Sequence, residues 1–226
     1  MNLKELPLIV ALGLIPVASS AAGFTGPYVG AQLGLVNGAD SGTELLNGAA
    51  DGYTTDTSPK GNTYGLLGGY NWPLDNNLVV GVEADYEQRS ANDSILYKNF
   101  GVPDPQFPFE TKLKAAYSLR AKLGYAFNEN QSLAYVTAGI AAADISRTYS
   151  DTLAVATIED SKIQNGWAAG LGVEHLIKQN ISVGLEYRYA DYGQADVNTS
   201  AIFGAGYTQP QKYHESSFRV GMAYRF

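Results

Sequence analysis

The 226-residue chain contains no cysteine, so it can form no disulfide, use no thiol nucleophile and bind no metal through thiolates. Only two histidines, His175 and His214, are available for metal or acid–base chemistry. Beyond residue 22 no apolar run approaches the roughly 18 residues of a transmembrane helix, so nothing after that point spans a membrane as a helix. Basic residues are also scarce. Fifteen lysines and arginines against 22 acids leave a formal charge of -7 with no basic cluster, which argues against nucleic acid as a partner.

What is present begins with an export segment over residues 1–22. Lys4 precedes an apolar run from Leu6 to Val17, and Ala18-Ser19-Ser20-Ala21-Ala22 is a small-residue stretch suited to signal peptidase, although Glu5 offsets Lys4 and Pro7 interrupts the run. Residues 23–226 then read as one domain.

That domain ends on a strict alternation. Phe218, Val220, Met222, Tyr224 and Phe226 fall on one strand face, and Arg219, Gly221, Ala223 and Arg225 on the other. Seven further segments follow the same period: Tyr28 to Leu35, Tyr64 to Trp72, Leu78 to Glu87, Lys112 to Tyr125, Leu133 to Ala143, Gly166 to Ile177 and Ile181 to Tyr189. In the fourth, Leu113, Ala115, Tyr117, Leu119, Ala121, Leu123 and Tyr125 oppose Lys112, Lys114, Ala116, Ser118, Arg120, Lys122 and Gly124. The fifth is small and apolar on both faces, so its facing stays open. Each segment has about the length at which a tilted strand crosses a bilayer.

The connections alternate in length. Pro73 to Asn77, Asn128 to Gln131 and Lys178 to Asn180 are tight turns, whereas Val36 to Asn62, Gln88 to Thr111, Asp144 to Lys162 and Asp191 to His214 are long and polar. Short periplasmic turns and long extracellular loops are the habit of outer-membrane barrels. With that orientation the aromatics sort into two belts: Tyr70, Trp72, Tyr125, Phe127, Tyr224 and Phe226 at the periplasmic ends, and Tyr86, Tyr117, Trp167, Tyr187 and Tyr189 at the other. The expected fold is all-β: an eight-stranded antiparallel up-and-down transmembrane barrel of a Gram-negative outer membrane.

A secreted soluble barrel would show the same alternation with its faces inverted. Here the polar face is rich in Gly, Ala and Ser beside charges, as a crowded lumen requires. That lumen is expected to hold Glu83, Asp85, Glu87, Glu174 and Glu186 against Lys112, Lys114, Arg120, Lys122, Arg188, Arg219 and Arg225. Such a set reads either as a salt-bridge plug or as an ion path.

Five stretches carry a family resemblance: Gly26-Pro27-Tyr28-Val29-Gly30-Ala31-Gln32-Leu33-Gly34, Gly68-Gly69-Tyr70-Asn71-Trp72, Val80-Gly81-Val82-Glu83-Ala84-Asp85-Tyr86, Gly166-Trp167 leading to Gly172-Val173-Glu174, and Glu186-Tyr187-Arg188-Tyr189. The chain resembles the opacity-type or "porin family" outer-membrane surface proteins over nearly its whole length. The resemblance implies an eight-stranded barrel inserted by the barrel-assembly machinery, which reads a terminal aromatic here supplied by Phe226 with Tyr224. The family's members include adhesins and immunodominant antigens, so the label "porin" does not itself imply a pore.

Candidate chemistry is thin. His214-Glu215-Ser216-Ser217 holds the residue types of a Ser-His-acid site, but adjacent strand residues point to opposite faces. His175 falls on the lipid-facing parity. Tyr207, Tyr213 and His214 are a weak metal or haem set, and Gly170-Leu171-Gly172 lies in a strand without a phosphate-binding continuation. Within Pro103-Asp104-Pro105-Gln106-Phe107-Pro108-Phe109, the rings of Phe107 and Phe109 read either as exposed anchors for a partner or as packing against other loops. The four long connections together carry the whole charge of -7. The sequence therefore predicts a cofactor-free, non-enzymatic surface protein, antigen- or adhesin-like, contacting outer-membrane lipid, lipopolysaccharide and an extracellular or host ligand. A narrow channel and a lipid-acting enzyme are the alternatives. Deleting Phe226 should leave export intact yet lower the heat-modifiable protein in the outer membrane, whereas Phe226→Tyr should be mild because it keeps an interfacial ring; gel mobility of boiled and unboiled membrane fractions measures this, and normal levels of the deletion would remove the residue's assigned role.

Overall fold

The computed structural model describes residues 23–226; the export segment expected over residues 1–22 lies outside the described residues. Nine strands run β1 (Gly26–Leu46), β2 (Ala49–Thr57), β3 (Lys60–Pro73), β4 (Leu78–Asn99), β5 (Val102–Phe127), β6 (Ser132–Asp151), β7 (Ala156–Lys178), β8 (Ile181–Asn198) and β9 (Tyr207–Arg225). β1 pairs antiparallel with both β2 and β3, each strand from β3 to β8 pairs antiparallel with the next, and β1 returns to β9 from Tyr28↔Arg225 to Leu46↔Tyr207. β2 and β3 lie end to end against β1, separated by Ser58 and Pro59, so the ring is eight strands around. Closure leaves no sheet edge inside the hydrocarbon layer, where unpaired backbone groups would find no water.

The tight turns follow from their residues. Asn76, Asn77, Asn128, Glu129 and Asn130 all adopt positive φ, and four of these five are asparagine, which tolerates that region.

The faces are the reverse of a soluble protein's. Leu33, Leu66, Ile140 and Leu171 are 68%, 66%, 67% and 60% exposed, while Glu87, Arg120 and Arg219 are 0%, 1% and 2% exposed. A soluble barrel would have to present these aliphatic side chains to water, so the outer face is the lipid face. Two aromatic girdles bound it. Tyr70 packs on Trp72 and Tyr224 on Phe226 at the periplasmic end, and Tyr86 on Tyr117, Trp167 on Tyr189 and Tyr187 on Phe218 at the other. In β6, Leu133, Thr137, Ala141 and Ala143 point inward and Val136, Ala138 and Ile140 outward, which resolves the facing left open by its composition.

The long polar stretches are not irregular loops. β4 continues to Asn99 and β5 starts at Val102, so most of Gln88 to Thr111 is a strand hairpin rising beyond the outer girdle. The other three stretches are likewise mostly strand, with one helical turn, α1 (Ser200–Phe203), near the tip of the last. The alternation persists there, but the outer face now meets water and its residues are polar, which conceals the strand in the sequence. Ala121 is exposed at mid-strand and Lys122 is 3% exposed. Ala121→Arg should therefore cost roughly 2 to 4 kcal/mol of folding stability in bilayers, measured by urea titration in lipid vesicles; an aqueous label at Ala121 together with a lipid-phase label at Lys122 would invert the facing.

Candidate functional site

The candidate site is the lumen itself. β4 and β5 place Glu83 opposite Arg120 and Asp85 opposite Ser118, so the acidic row of one strand meets the basic row of its neighbour. Arg120 reaches three acids, with Nη2 2.6 Å from Glu83 Oε1 and 3.1 Å from Asp85 Oδ2, and Nη1 3.0 Å from Glu186 Oε1. Lys122 donates to Glu83 Oε2 at 2.8 Å and to the Tyr28 hydroxyl at 2.9 Å, and that hydroxyl donates to Glu83. Arg188 closes the layer on Asp85 and Glu186 at 3.1 and 2.8 Å.

Further layers lie above and below. Outward, Arg219 pairs with Glu87, Gln32 donates to Glu87 at 3.0 Å, and Arg89 links Glu87 to Glu215. Farther out, Arg147 grips Asp40 through two nitrogens at 2.7 and 2.9 Å. At the periplasmic end Arg225 pairs with Glu174 and lies 4.8 Å from the ring centres of Phe24 and Tyr28. Phe24 is 2% exposed and packs with Val79, Ala126 and Leu133 across that mouth.

The lumen thus joins seven acids (Asp40, Glu83, Asp85, Glu87, Glu174, Glu186, Glu215) to seven bases (Arg89, Arg120, Lys122, Arg147, Arg188, Arg219, Arg225), each within ion-pair distance of an opposite charge. Every arginine of the chain is in this set. The preference is chemical: a guanidinium offers five donors in a fixed fork and serves two or three carboxylates at once, which an ammonium does less well. Between the layers lies a cavity of about 40 Å³ lined by Tyr28, Gln32, Glu83, Lys122, Tyr135 and Glu174 among others.

Two lysines expected here are elsewhere. Lys112 is exposed beside Glu110, and Lys114 is half-buried on the outer surface beside Glu159. The pairing of β5 is irregular on both flanks, between Leu113 and Ala115 toward β6 and opposite Gln88 to Ala91 on β4. A bulge there brings both Ala116 and Leu113 inward, and a one-residue slip exchanges the faces of everything beyond it. Leu113, expected to face lipid, is therefore 3% exposed in the interior. Sequence reading missed Arg89, Glu215, Asp40 and Arg147 because it ended the strands too early; continuing the alternation of β4 two residues past Glu87 reaches Arg89.

Above the charged layers the interior turns aromatic. Phe109, Tyr97 and Tyr149 are 1%, 0% and 0% exposed, and Phe107 packs on Tyr53, Tyr97 and Phe203. Phe107 and Phe109 are therefore not exposed anchors, because the strand alternation carries Phe109 into the interior and α1 covers Phe107. Buried in the same region, Glu44 accepts from the Thr199 hydroxyl and has no ion-pair partner among the described residues. Burial, helped by the charge of Asp51, raises its carboxyl to about 7. His214 faces outward against Tyr189 while its neighbour Tyr213 points inward and donates to Glu215, so the residues of a tyrosine–histidine metal set diverge. His175 is exposed and bonds Ser132 at 3.0 Å.

A closed eight-stranded sheet with an apolar exterior, two aromatic girdles and a neutralised charged interior defines an integral β-barrel of a Gram-negative outer membrane. Known proteins agree. The family described as outer membrane protein beta-barrel domain matches residues 8–226, and the chain belongs to that family. It is 31% identical over 214 residues to the 31 kDa outer-membrane immunogenic protein of Brucella melitensis biotype 1, covering 90% of this chain and 84% of the relative. It is 33% identical over 186 residues to the 22 kDa outer membrane protein of Rhizobium leguminosarum bv. viciae, covering 80% and 76%. In fold it is similar to the outer membrane protein OprG from Pseudomonas aeruginosa, with a TM-score of 0.64 at 17% identity over 91% of this chain and 98% of that one.

Glu44 supplies a pH test. An unfolded glutamate ionises near 4.5, but Glu44 in the fold keeps its proton until about 7, so the folded state binds more protons in between and local stability falls as pH rises from about 4.5 to 7. Amide exchange of residues 199–204, corrected for intrinsic rates, should show weaker protection at pH 8 than at pH 5, and Glu44→Gln should abolish the difference. Equal protection at the two pH values in the wild type would contradict the assignment.

Proposed function

We propose that this protein is a non-conducting, non-enzymatic surface barrel that holds an acidic, stiffened β-extension outside the cell as an antigen or attachment surface. The observation that carries this reading is the interior set of fourteen paired charges. Arg120 alone ties Glu83, Asp85 and Glu186 across the lumen, and the neighbouring cavity is only about 40 Å³. An ion crossing this interior would have to break several desolvated pairs, each costly to open. The names of the Brucella relatives, outer-membrane immunogenic proteins, support a surface role. Strands continuing to Leu46, Asn99, Asp151 and Asn198 support a stiff projection rather than a mobile fringe.

The partners in this reading are outer-membrane lipid and lipopolysaccharide, the barrel-assembly machinery during insertion, and an extracellular or host ligand for the outer extension. Purified wild-type protein should give no reproducible steps in planar bilayers, whereas replacing Arg120 and Glu186 together by alanine should introduce leak. Reproducible open steps from the wild type would replace this reading with a narrow channel, and turnover of labelled lipopolysaccharide or phospholipid would replace it with a lipid-acting enzyme.

A further inference from the structure

The lysines are placed opposite to the arginines. Of the eight lysines in the described residues only Lys122 is interior; Lys60, Lys98, Lys112, Lys114, Lys162, Lys178 and Lys212 are exposed or half-buried. Lys178 adjoins a periplasmic turn, and the other six all lie beyond the outer girdle. Three of them share one face. Lys60 on β3 is in register with Asn92 on β4, and Asn92 with Lys112 on β5, so the two lysines flank one amide on neighbouring strands. Lys114 follows two residues along on β5.

Their height is set by the girdle. Lys60 stands four residues outward of Tyr64, and Lys112 and Lys114 stand five and three residues outward of Tyr117, whose ring packs 5.2 Å from Tyr86. A strand rising about 3.3 Å per residue at a tilt near 40° puts these Cα atoms roughly 7 to 13 Å beyond the rings. That is the headgroup layer, and a flexible lysine stem covers several ångströms more in either direction. The pairs available to these ammonium groups are weak. Lys112 meets Glu110 at 2.8 Å and Lys114 meets Glu159 at 3.5 Å on the exposed surface, while Lys60 has no acidic partner within ion-pair distance among the described residues. Asn62, Ser90 and Asn92 add outward polar side chains between them.

We propose that Lys60, Lys112 and Lys114, above the Tyr86–Tyr117 pair, form a binding site for the phosphates of outer-leaflet lipopolysaccharide. The inference rests on the reading of the chain as a surface barrel and assigns residues, and the lipid phosphates, to its lipopolysaccharide contact. The rings would lie against the acyl-headgroup boundary while the ammonium groups exchange their weak surface pairs for lipid phosphate. The overall charge is -7 and Glu110 and Glu159 pair with two of the three lysines, so the attraction for phosphate is confined to these ammonium groups on a surface that otherwise repels polyanions.

The test uses full-length protein in phosphatidylcholine nanodiscs doped with deep-rough lipopolysaccharide, its dephosphorylated form, or phosphatidylglycerol, with retained lipid counted by native mass spectrometry. Wild type should retain phosphorylated lipopolysaccharide in preference to both others. Each of Lys60→Gln, Lys112→Gln and Lys114→Gln should weaken that retention about fivefold at low salt, and Lys178→Gln should not. Heat-shifted gel mobility confirms that each variant is folded, and silent planar bilayers check the surface-barrel reading separately. Unchanged retention in the folded triple variant, or equal retention of dephosphorylated lipid or phosphatidylglycerol by the wild type, would overturn the site.

Discussion

Mutual neutralisation of the charges inside the barrel is the constraint on which the remaining structure depends. Seven acids and seven bases occupy an interior that eight strands make just wide enough to fill with side chains. Each is too deeply buried to be left unpaired, because isolated desolvated charges cost several kcal/mol apiece. Each strand must therefore hold its register to within one residue, since a slip would bring charges to lipid and leucines to the lumen. The network is weak as a source of net stability but strong as a specification. It selects one register out of many that the repetitive alternation would otherwise permit.

The exterior is correspondingly undemanding. Leu33, Leu66, Ile140 and Leu171 need only be apolar, because lipid makes no shape-specific contact, and the girdles fix depth without fixing rotation. Specificity thus sits inside and membrane affinity outside, which inverts the division of labour in a soluble domain. The small inner residues follow from the same crowding. A Cβ at Gly69 would collide with the Tyr28 ring, whose hydroxyl bridges Lys122 and Glu83.

How much of this was legible in the sequence depended on whether lipid bounded the strand. Within the hydrocarbon layer the outer face is apolar, so period two stands out, and the segments from Tyr28 to Leu35, Leu78 to Glu87 and Phe218 to Phe226 match observed strands. Beyond the outer girdle both faces can be polar, and the continuations carrying Arg89, Arg147, Asp40 and Glu215 read as loop. Lys112 and Lys114 lie outside for a different reason. A bulge leaves no composition mark, and it exchanges inside and outside without disturbing the alternation on either side of it. Phe24 precedes the first strand, and although it shares the inward parity of Gly26 and Tyr28, no apolar alternation extends that far to mark it as the seal of the periplasmic mouth.

The separation of arginine from lysine follows from these same demands. An interior position favours a cation that holds carboxylates in fixed directions: Arg89, Arg120 and Arg188 each serve two or three acids and Arg147, Arg219 and Arg225 one each, and Lys122 is accommodated through Glu83, the Tyr28 hydroxyl and two aromatic faces. An outer position beside the headgroups needs a mobile charge that keeps its own hydration and can follow a phosphate that moves, which is what an ammonium on a four-carbon stem provides. Outer-surface Lys112 and Lys114 are thus chemically in place where the bulge leaves them, whereas in the lumen they would have brought two positive charges without matching acids. The bulge in β5 is in this sense part of the charge balance: it keeps two cations out of an interior whose fourteen charges are paired without them.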